Sequence, residues 1–374
     1  MLYQARDAIR DHPGYHDGFQ RLLAEGALSA HVAMPYYRIS ASRGWIALWD
    51  EACAAARKMG ADAVFLQFFH GPIPDPSEGI RRIRNLPNKP TVFTSLGDPF
   101  GRWTKRVPEC FRVASKLSDV TFLTGMGFIA RQLVGCGSTN LVLMPHGCCQ
   151  VRFASSPIPT SDPPDFDVVF IGGRNQSRNP LGHVFWVSRL RAALVKAFSK
   201  RYGRRFGLFG NGWNGNASWQ GSIPFADQHE AYRKSAVVLG GMPGSFNDYY
   251  MSDRPFIAIA SGVPLVDYWV HGVDLILEPK RDVRLARSIR EMLILCDQLL
   301  EMASSDRVRL GLEARERVLA HHTQYHRCAE MIDVVKTLRE ARLSGRNAPE
   351  PILRFLSDAK AAVSAPDAIV AWKR

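Results

Sequence analysis

The sequence predicts an α/β protein of two doubly wound parallel-sheet domains. Three observations predict it. Strand-length apolar runs alternate with helix-length periodic runs along most of the chain. A stretch rich in Pro and Ser at 155–164 (SSPIPTSDPP) interrupts the alternation, which then restarts. The 374 residues exceed one ordinary domain, and 46% hydrophobic residues supply two cores.

In the first half, Met1–Ala5 reads as a weak strand and Asp17–Glu25 as an amphipathic helix ending near Gly26. His31–Tyr36 reads as a second strand. Trp45–Met59 carries apolar residues at helical spacing and stops at Gly60. Ala63–Phe69, Thr91–Ser95, Val120–Leu123 and Leu141–Met144 are short apolar runs bounded by Gly, Pro, Asn or charged residues, as buried parallel strands are. After the linker, Asp167–Ile171, Phe206–Phe209, Ala236–Leu239 and Val263–Asp267 read as strands. Val187–Tyr202, Gln228–Ser235 and Phe256–Ser261 read as the helices between them. Val283–Ala303 and Asp306–Arg342 read as long helices, and the tail from Pro349 as one more. The expected domains are 1–157, 165–335 and a helical tail, 336–374, packing back on the first. Two such domains facing each other leave a central cleft, with ligands at the carboxyl ends of the strands.

The net charge is +13, and it is not confined to a tail: residues 1–160 carry +6 and the remainder +7. A polyanionic partner fits this balance, whether nucleic acid, anionic lipid or an acidic glycan. The seven cysteines are odd in number and match no zinc spacing, so reduced thiols are expected. Charges begin at residue 6, with no apolar segment of signal or membrane-spanning length. The expected location is the cytoplasm, or the host cytoplasm if the chain is phage-encoded.

A run of motifs resembles one family in order and spacing over roughly 60–335: LGDPFGRW at 96–103, SDVTFLTG at 118–125, MPHGCCQVRF at 144–153, VVFIGGRNQSR at 168–178, FGLFGNGW at 206–213, EAYRKSAVVLG at 230–240, RPFIAIASGVPLV at 254–266 and ARERVLAHHTQYHRCAEMI at 314–332. Together they resemble the GT-B glycosyltransferases, and within them the spore-maturation (CgeB-type) enzymes. The resemblance implies transfer of a sugar from a nucleotide diphosphate, by family default a UDP-sugar such as UDP-glucose, with no metal required.

The donor side then comprises Gly172, Gly173, Arg174 and Arg178, whose backbone N–H groups and guanidinium would meet a diphosphate. It includes Gly210, Asn211 and Trp213, the indole either stacking on a base or capping the core. Ser245, Asn247 and Asp248 precede a helix, Asn247 or Asp248 otherwise serving as its N-cap. Arg254 matches the family's arginine before the helix. Where the family places a ribose-binding glutamate, this chain has Ile257, so ribose recognition would pass to Asp253 or Asp248. Asp98, directly after a predicted strand, is the candidate general base, or else an Asx cap before Pro99. His70 is a further catalytic candidate, with His146 and His12 ranked behind it.

Basic residues cluster at Arg81-Arg82-Arg84-Lys89 and at Arg102-Lys105-Arg106-Arg112-Lys116, the second interleaved with Phe100 and Trp103. That pattern fits phosphate contacts with an aromatic wedge beside a flipped base. The favoured acceptor is a 5-hydroxymethylpyrimidine such as 5-hydroxymethylcytosine in DNA, for which phage glucosyltransferases of the same fold are a precedent. The alternatives are a surface glycan, lipid-linked saccharide or protein acceptor, and a non-catalytic nucleic-acid or nucleotide binder. Asp165-Phe166-Asp167 and His321/His322/His326 look like metal motifs but lack a convincing ligand set.

Overall fold

The computed structural model describes residues 1–3, 5–67, 69, 73–101, 106–154, 163–174, 177–241, 247–356 and 366–372. His70, Arg102, Trp103, Lys105 and Ser245 lie outside the described residues. The chain divides into two compact units. Met1–Pro145, Gln324–Arg354 and Ala362–Arg374 form one; His146–Thr323 forms most of the other. Each is a Rossmann-like unit around a parallel sheet.

The first unit holds seven strands: β1 (Leu2–Tyr3), β2 (Met34–Pro35), β3 (Ala63–Gln67), β4 (Thr91–Leu96), β5 (Val120–Leu123), β6 (Leu141–Leu143) and β12 (Ile369–Val370). Their order is β12-β6-β5-β4-β3-β1-β2, all parallel except β12 against β6. Central strands buried on both faces are mostly apolar, which is why they read as near-continuous runs. Val64, Leu66 and Val92 face a core with Leu48, Trp49, Ile80 and Ile83. On the other face Phe65 stacks on Phe93 with ring centroids 4.5 Å apart.

The second unit holds β7 (Phe166–Ile171), β8 (Phe206–Phe209), β9 (Ser235–Leu239), β10 (Leu265–Tyr268) and β11 (Arg284–Ala286) in the order β11-β10-β9-β7-β8, all parallel. Helices His183–Tyr202, Gln228–Arg233, Arg254–Ala260, Ile289–Glu301 and Ser304–His321 complete it. Phe170, Val237 and Val266 pack with Leu194, Phe198, Met292 and Cys296.

Several elements differ from the sequence expectation. The strand expected over His31–Tyr36 shrinks to Met34–Pro35, because a helix already starts at Tyr36 and runs to Lys58. Gly44, at φ 84°, kinks that helix where the expected start lay. Helices Ser77–Arg84, Glu109–Leu117 and Phe128–Gly135 were not foreseen. β11 precedes the Ile289–Glu301 helix inside what reads as one long helix. The last periodic stretch breaks at His322 into Ser304–His321 and Gln324–Leu343. Among the described residues the tail contributes a 3₁₀ turn and β12, not a further helix.

Candidate functional site

In the second unit the strands β7, β9 and β10 end side by side, and their carboxyl ends frame a cavity of ≈ 20 Å³. That is room for about one water or a single ligand oxygen. Ile171, Gly240, Asp267, Arg191, Ser252 and Arg254 are among the residues lining it. Arg191 comes from the His183–Tyr202 helix, and Arg254 is the first residue of the Arg254–Ala260 helix.

Arg191 is buried at 6% exposure. It donates from Nη1 to the Gly173 carbonyl at 2.9 Å and from Nε to the Gly241 carbonyl at 3.3 Å. Burial, and the Arg254 charge after it, bring Arg191 down to about 10. It remains a cation at neutral pH. Asp267 is buried and accepts the Tyr268 backbone N–H at 2.8 Å. Ser252 is 8% exposed, and its hydroxyl has no hydrogen-bond partner among the described residues. Two guanidinium groups against one carboxylate, with a buried unpaired hydroxyl beside them, suit an anionic oxygen.

The glycine loops beside this site serve a different purpose from the one the sequence suggests. The Gly172 N–H donates to the Phe209 carbonyl at 2.9 Å, and the Arg174 N–H to the Asn211 carbonyl at 2.8 Å. Two of the three backbone donors expected for a diphosphate are therefore committed to the neighbouring loop. Gly210 sits at φ 123°, and a Cβ there would lie 2.7 Å from the Gly172 carbonyl group, so only glycine lets the loops interlock. Trp213 is buried and its indole donates to the Gly172 carbonyl at 2.6 Å. It caps the core and offers no face for a base. Gly173 is half-buried, whereas Arg174, Arg178 and Asn211 are exposed; the Arg174 guanidinium lies 5.9 Å from the Trp213 ring centre.

Around the Arg254–Ala260 helix, the N-cap position belongs to Asp253, not to Asn247 or Asp248. Asn247 is buried, and Asp248 approaches His271 Nδ1 at 3.7 Å. Ile257 is 1% exposed and packs into the core. No ribose contact is available from that position; Asp267 is the carboxylate that the fold places at the cavity.

In the first unit Asp98 is exposed, two residues beyond the end of β4. Phe100 is 4% exposed, so it is a core residue rather than a wedge for DNA. Arg81 and Arg106 are exposed; Arg82 pairs with Asp50 at 2.5 Å. His146 lies three residues after β6. His12 does not follow a strand; it sits at the N-cap position of helix Pro13–Ala24, edge-on to Tyr15. Arg84 and Lys116, one from each basic cluster, lie together at the amino edge of the sheet, near Thr91, whereas Asp98 lies beyond its carboxyl edge. Arg112 pairs with Glu109, and in the second unit Arg201 and Arg205 pair with Asp297 and Asp167. The last pair gives the Asp165-Phe166-Asp167 run a structural role. Among the described residues no group of three His, Cys, Asp or Glu side chains could hold a metal, and no helix is long and apolar enough to cross a membrane.

The sequence reading missed Arg191, Ser252 and Asp267. Asp267 left one signal, a carboxylate at the carboxyl end of an expected strand. Arg191 was hidden within a basic helix, because charge alone does not tell an inward arginine from exposed Arg189.

Residues 189–333 match a family described as glycosyl transferase-like. No curated protein matches the chain in sequence. The structure is similar to sucrose-phosphate synthase from Thermosynechococcus elongatus, with 14% identity, 82% of this chain and 81% of that chain covered, and a TM-score of 0.50. It is similar to a trehalose-6-phosphate protein from E. coli bound with UDP-2-fluoro glucose, with 11% identity, coverage of 78% and 77%, and a TM-score of 0.52. It is also similar to the N-terminal domain of Candida albicans trehalose-6-phosphate phosphatase, with 10% identity, coverage of 87% and 79%, and a TM-score of 0.53. The fold is that of the GT-B class, and the second unit carries a glycosyl transferase-like segment.

Proposed function

We propose that the protein is a glycosyltransferase using a nucleotide-diphosphate sugar, with the donor phosphates at the Arg191–Arg254 edge of the second unit. One observation carries this reading. Arg191, Ser252, Arg254 and Asp267 all fall inside the matched segment 189–333 and meet at the carboxyl ends of parallel strands, where open α/β sheets bind ligands. The cavity takes one phosphate oxygen; the rest of the donor lies outside it. Arg254 supplies charge to the diphosphate, and Asp253 or Asp248 takes the ribose contact that Ile257 cannot make. UDP is the proposed nucleotide, in keeping with the sugar nucleotide bound to the E. coli neighbour.

Asp98 is the proposed general base. Its carboxylate takes the acceptor hydroxyl proton as the acceptor oxygen bonds to the anomeric carbon. The bond from that carbon to the donor phosphate breaks, and the nucleotide diphosphate leaves with the electron pair. Asp98→Asn should lower kcat by about 10²–10⁴-fold while UDP affinity is kept; unchanged turnover would remove Asp98 from the reaction.

For the acceptor, the charge of +13 and exposed Arg81 and Arg106 support a hydroxymethylated pyrimidine in DNA. Burial of Phe100 and pairing of Arg82 favour the second reading, a saccharide acceptor that needs no wedge. Incubation with UDP-glucose and DNA bearing 5-hydroxymethylcytosine, followed by nucleoside mass analysis, separates them. A hexose added to the nucleoside supports DNA. Transfer to a saccharide panel alone supports the second reading. UDP binding without transfer to either class returns the chain to a non-catalytic nucleotide binder.

A further inference from the structure

A charged cavity of the first unit lies at the opposite edge of its sheet from Asp98. Its volume is ≈ 480 Å³, within the range of small-molecule sites. It opens where β4, β5 and β6 begin, and its lining includes Arg84, Lys116, Asp119, Asn140, Arg342 and Arg346. Six residues of β4 separate this edge from the carboxyl edge, a distance of roughly 20 Å. A ligand here is not at the edge that carries Asp98.

The charges do not cancel. Asp119 is the one acidic residue in the lining, against four cations. Its carboxylate is already in use. It accepts the Val92 N–H at 2.8 Å, meets Arg84 Nη1 at 3.1 Å and lies 3.6 Å from Arg342 Nη1. Arg84 also donates to the Leu117 carbonyl at 2.6 Å, and Arg342 to the Lys89 carbonyl at 2.6 Å and Thr91 Oγ1 at 3.1 Å. Arg84, Lys116 and Arg342 occupy last helical turns, where cations offset the helix dipole. For Arg84 and Arg342 that structural role, with the bonds above, accounts for much of their placement. It does not account for Lys116 and Arg346. Both are exposed; Lys116 has no partner among the described residues, and Arg346 donates from Nε to Ser344 Oγ. Asn140, held at φ 53° with its amide donating to the Asp119 carbonyl, fixes the wall between them.

We propose that this cavity binds a small phosphate-bearing metabolite of sugar-phosphate size. Arg84 and Arg342, pre-oriented by Asp119, form its inner wall, and Lys116 and Arg346 contact the phosphate from the solvent side. Pre-orientation by a shared carboxylate lowers the ordering cost of binding, and guanidinium groups suit phosphate oxygens.

The test uses pyrophosphate as the probe on the full chain, by isothermal titration in the wild type and again in Arg254→Ala, so that occupancy of the donor site cannot account for a signal the two proteins share. Lys116→Ala/Arg346→Ala should weaken pyrophosphate binding at least tenfold while UDP binding and the thermal unfolding midpoint are kept. Pyrophosphate should also protect Lys116 from an amine-reactive label in the wild-type chain and in Arg254→Ala. Equal pyrophosphate affinity in the wild type and the double variant, or unprotected Lys116, overturns the proposal. Loss of UDP binding alone would count against the donor reading and leave this one standing.

Discussion

Two arginine clusters, one in each unit, each include a single carboxylate in their lining, yet they differ in nearly every other respect. The cluster in the second unit closes on ≈ 20 Å³ at the carboxyl ends of its strands and includes an arginine that is 6% exposed. The cluster in the first unit opens on ≈ 480 Å³ at the amino ends. In the second unit Arg191 is fixed by backbone carbonyls and cannot be removed without exposing them to a dry interior. In the first, Lys116 and Arg346 stand at the solvent edge and carry no such structural duty. An arginine is thus part of the scaffold at Arg191 and open to solvent at Arg346. Burial and the fate of the hydrogen-bond donors decide which.

The largest expected effect that sharpens this contrast comes from Arg191→Leu. It leaves the Gly173 and Gly241 carbonyls without their side-chain donor and should cost about 3 kcal/mol in denaturant unfolding. A loss no greater than about 0.5 kcal/mol, the value for ordinary surface changes, would make the two clusters equivalent. Gly240→Ala comes next. Its Cβ would fall 2.2 Å from the Asp267 carboxyl carbon, so the change should destabilise by about 1–3 kcal/mol through overpacking. A crystal structure of the variant with Asp267 unmoved would contradict that cause.

A further effect concerns pH and belongs to the first unit. His31 lies stacked on Phe19 at 4.9 Å, and burial, the Met1 ammonium and His16 push it down to about 3. The unfolded chain binds this proton near pH 6.5, whereas the folded chain does not until about pH 3. Its contribution is therefore complete above pH 6.5 and is lost as the pH falls toward 3. Thermal melts between pH 7 and 4 should show a decline that His31→Gln flattens; parallel pH profiles would exclude His31 as the source.

The strands were legible because parallel strands buried on both faces leave uninterrupted apolar runs, as in Ala63–Gln67 and Val168–Ile171. The helix from Tyr36 was not, since Tyr36-Tyr37 suits a strand as well as a helix and only the tertiary core around Trp49 and Phe69 decides. Ser77–Arg84 was hidden behind Pro74 and Pro76, which read as loop, and behind three arginines that read as a charged patch. Arg254 was legible as the residue that opens a short helix. Asp267 and Ser252 were not, because their relevance depends on which strand ends become neighbours. Phe100, set among basic residues, reads as exposed in sequence and is buried in the fold.

The donor assignment at the second unit is the claim on which the functional reading rests, and titration of UDP into the wild-type chain and Arg254→Ala tests it most directly. The wild type should bind one UDP, and the variant should bind it about 10- to 100-fold more weakly, as expected for loss of a charge-assisted contact of about 1.5–3 kcal/mol. Equal affinity in the two proteins, or no UDP binding by the wild type, would contradict the account.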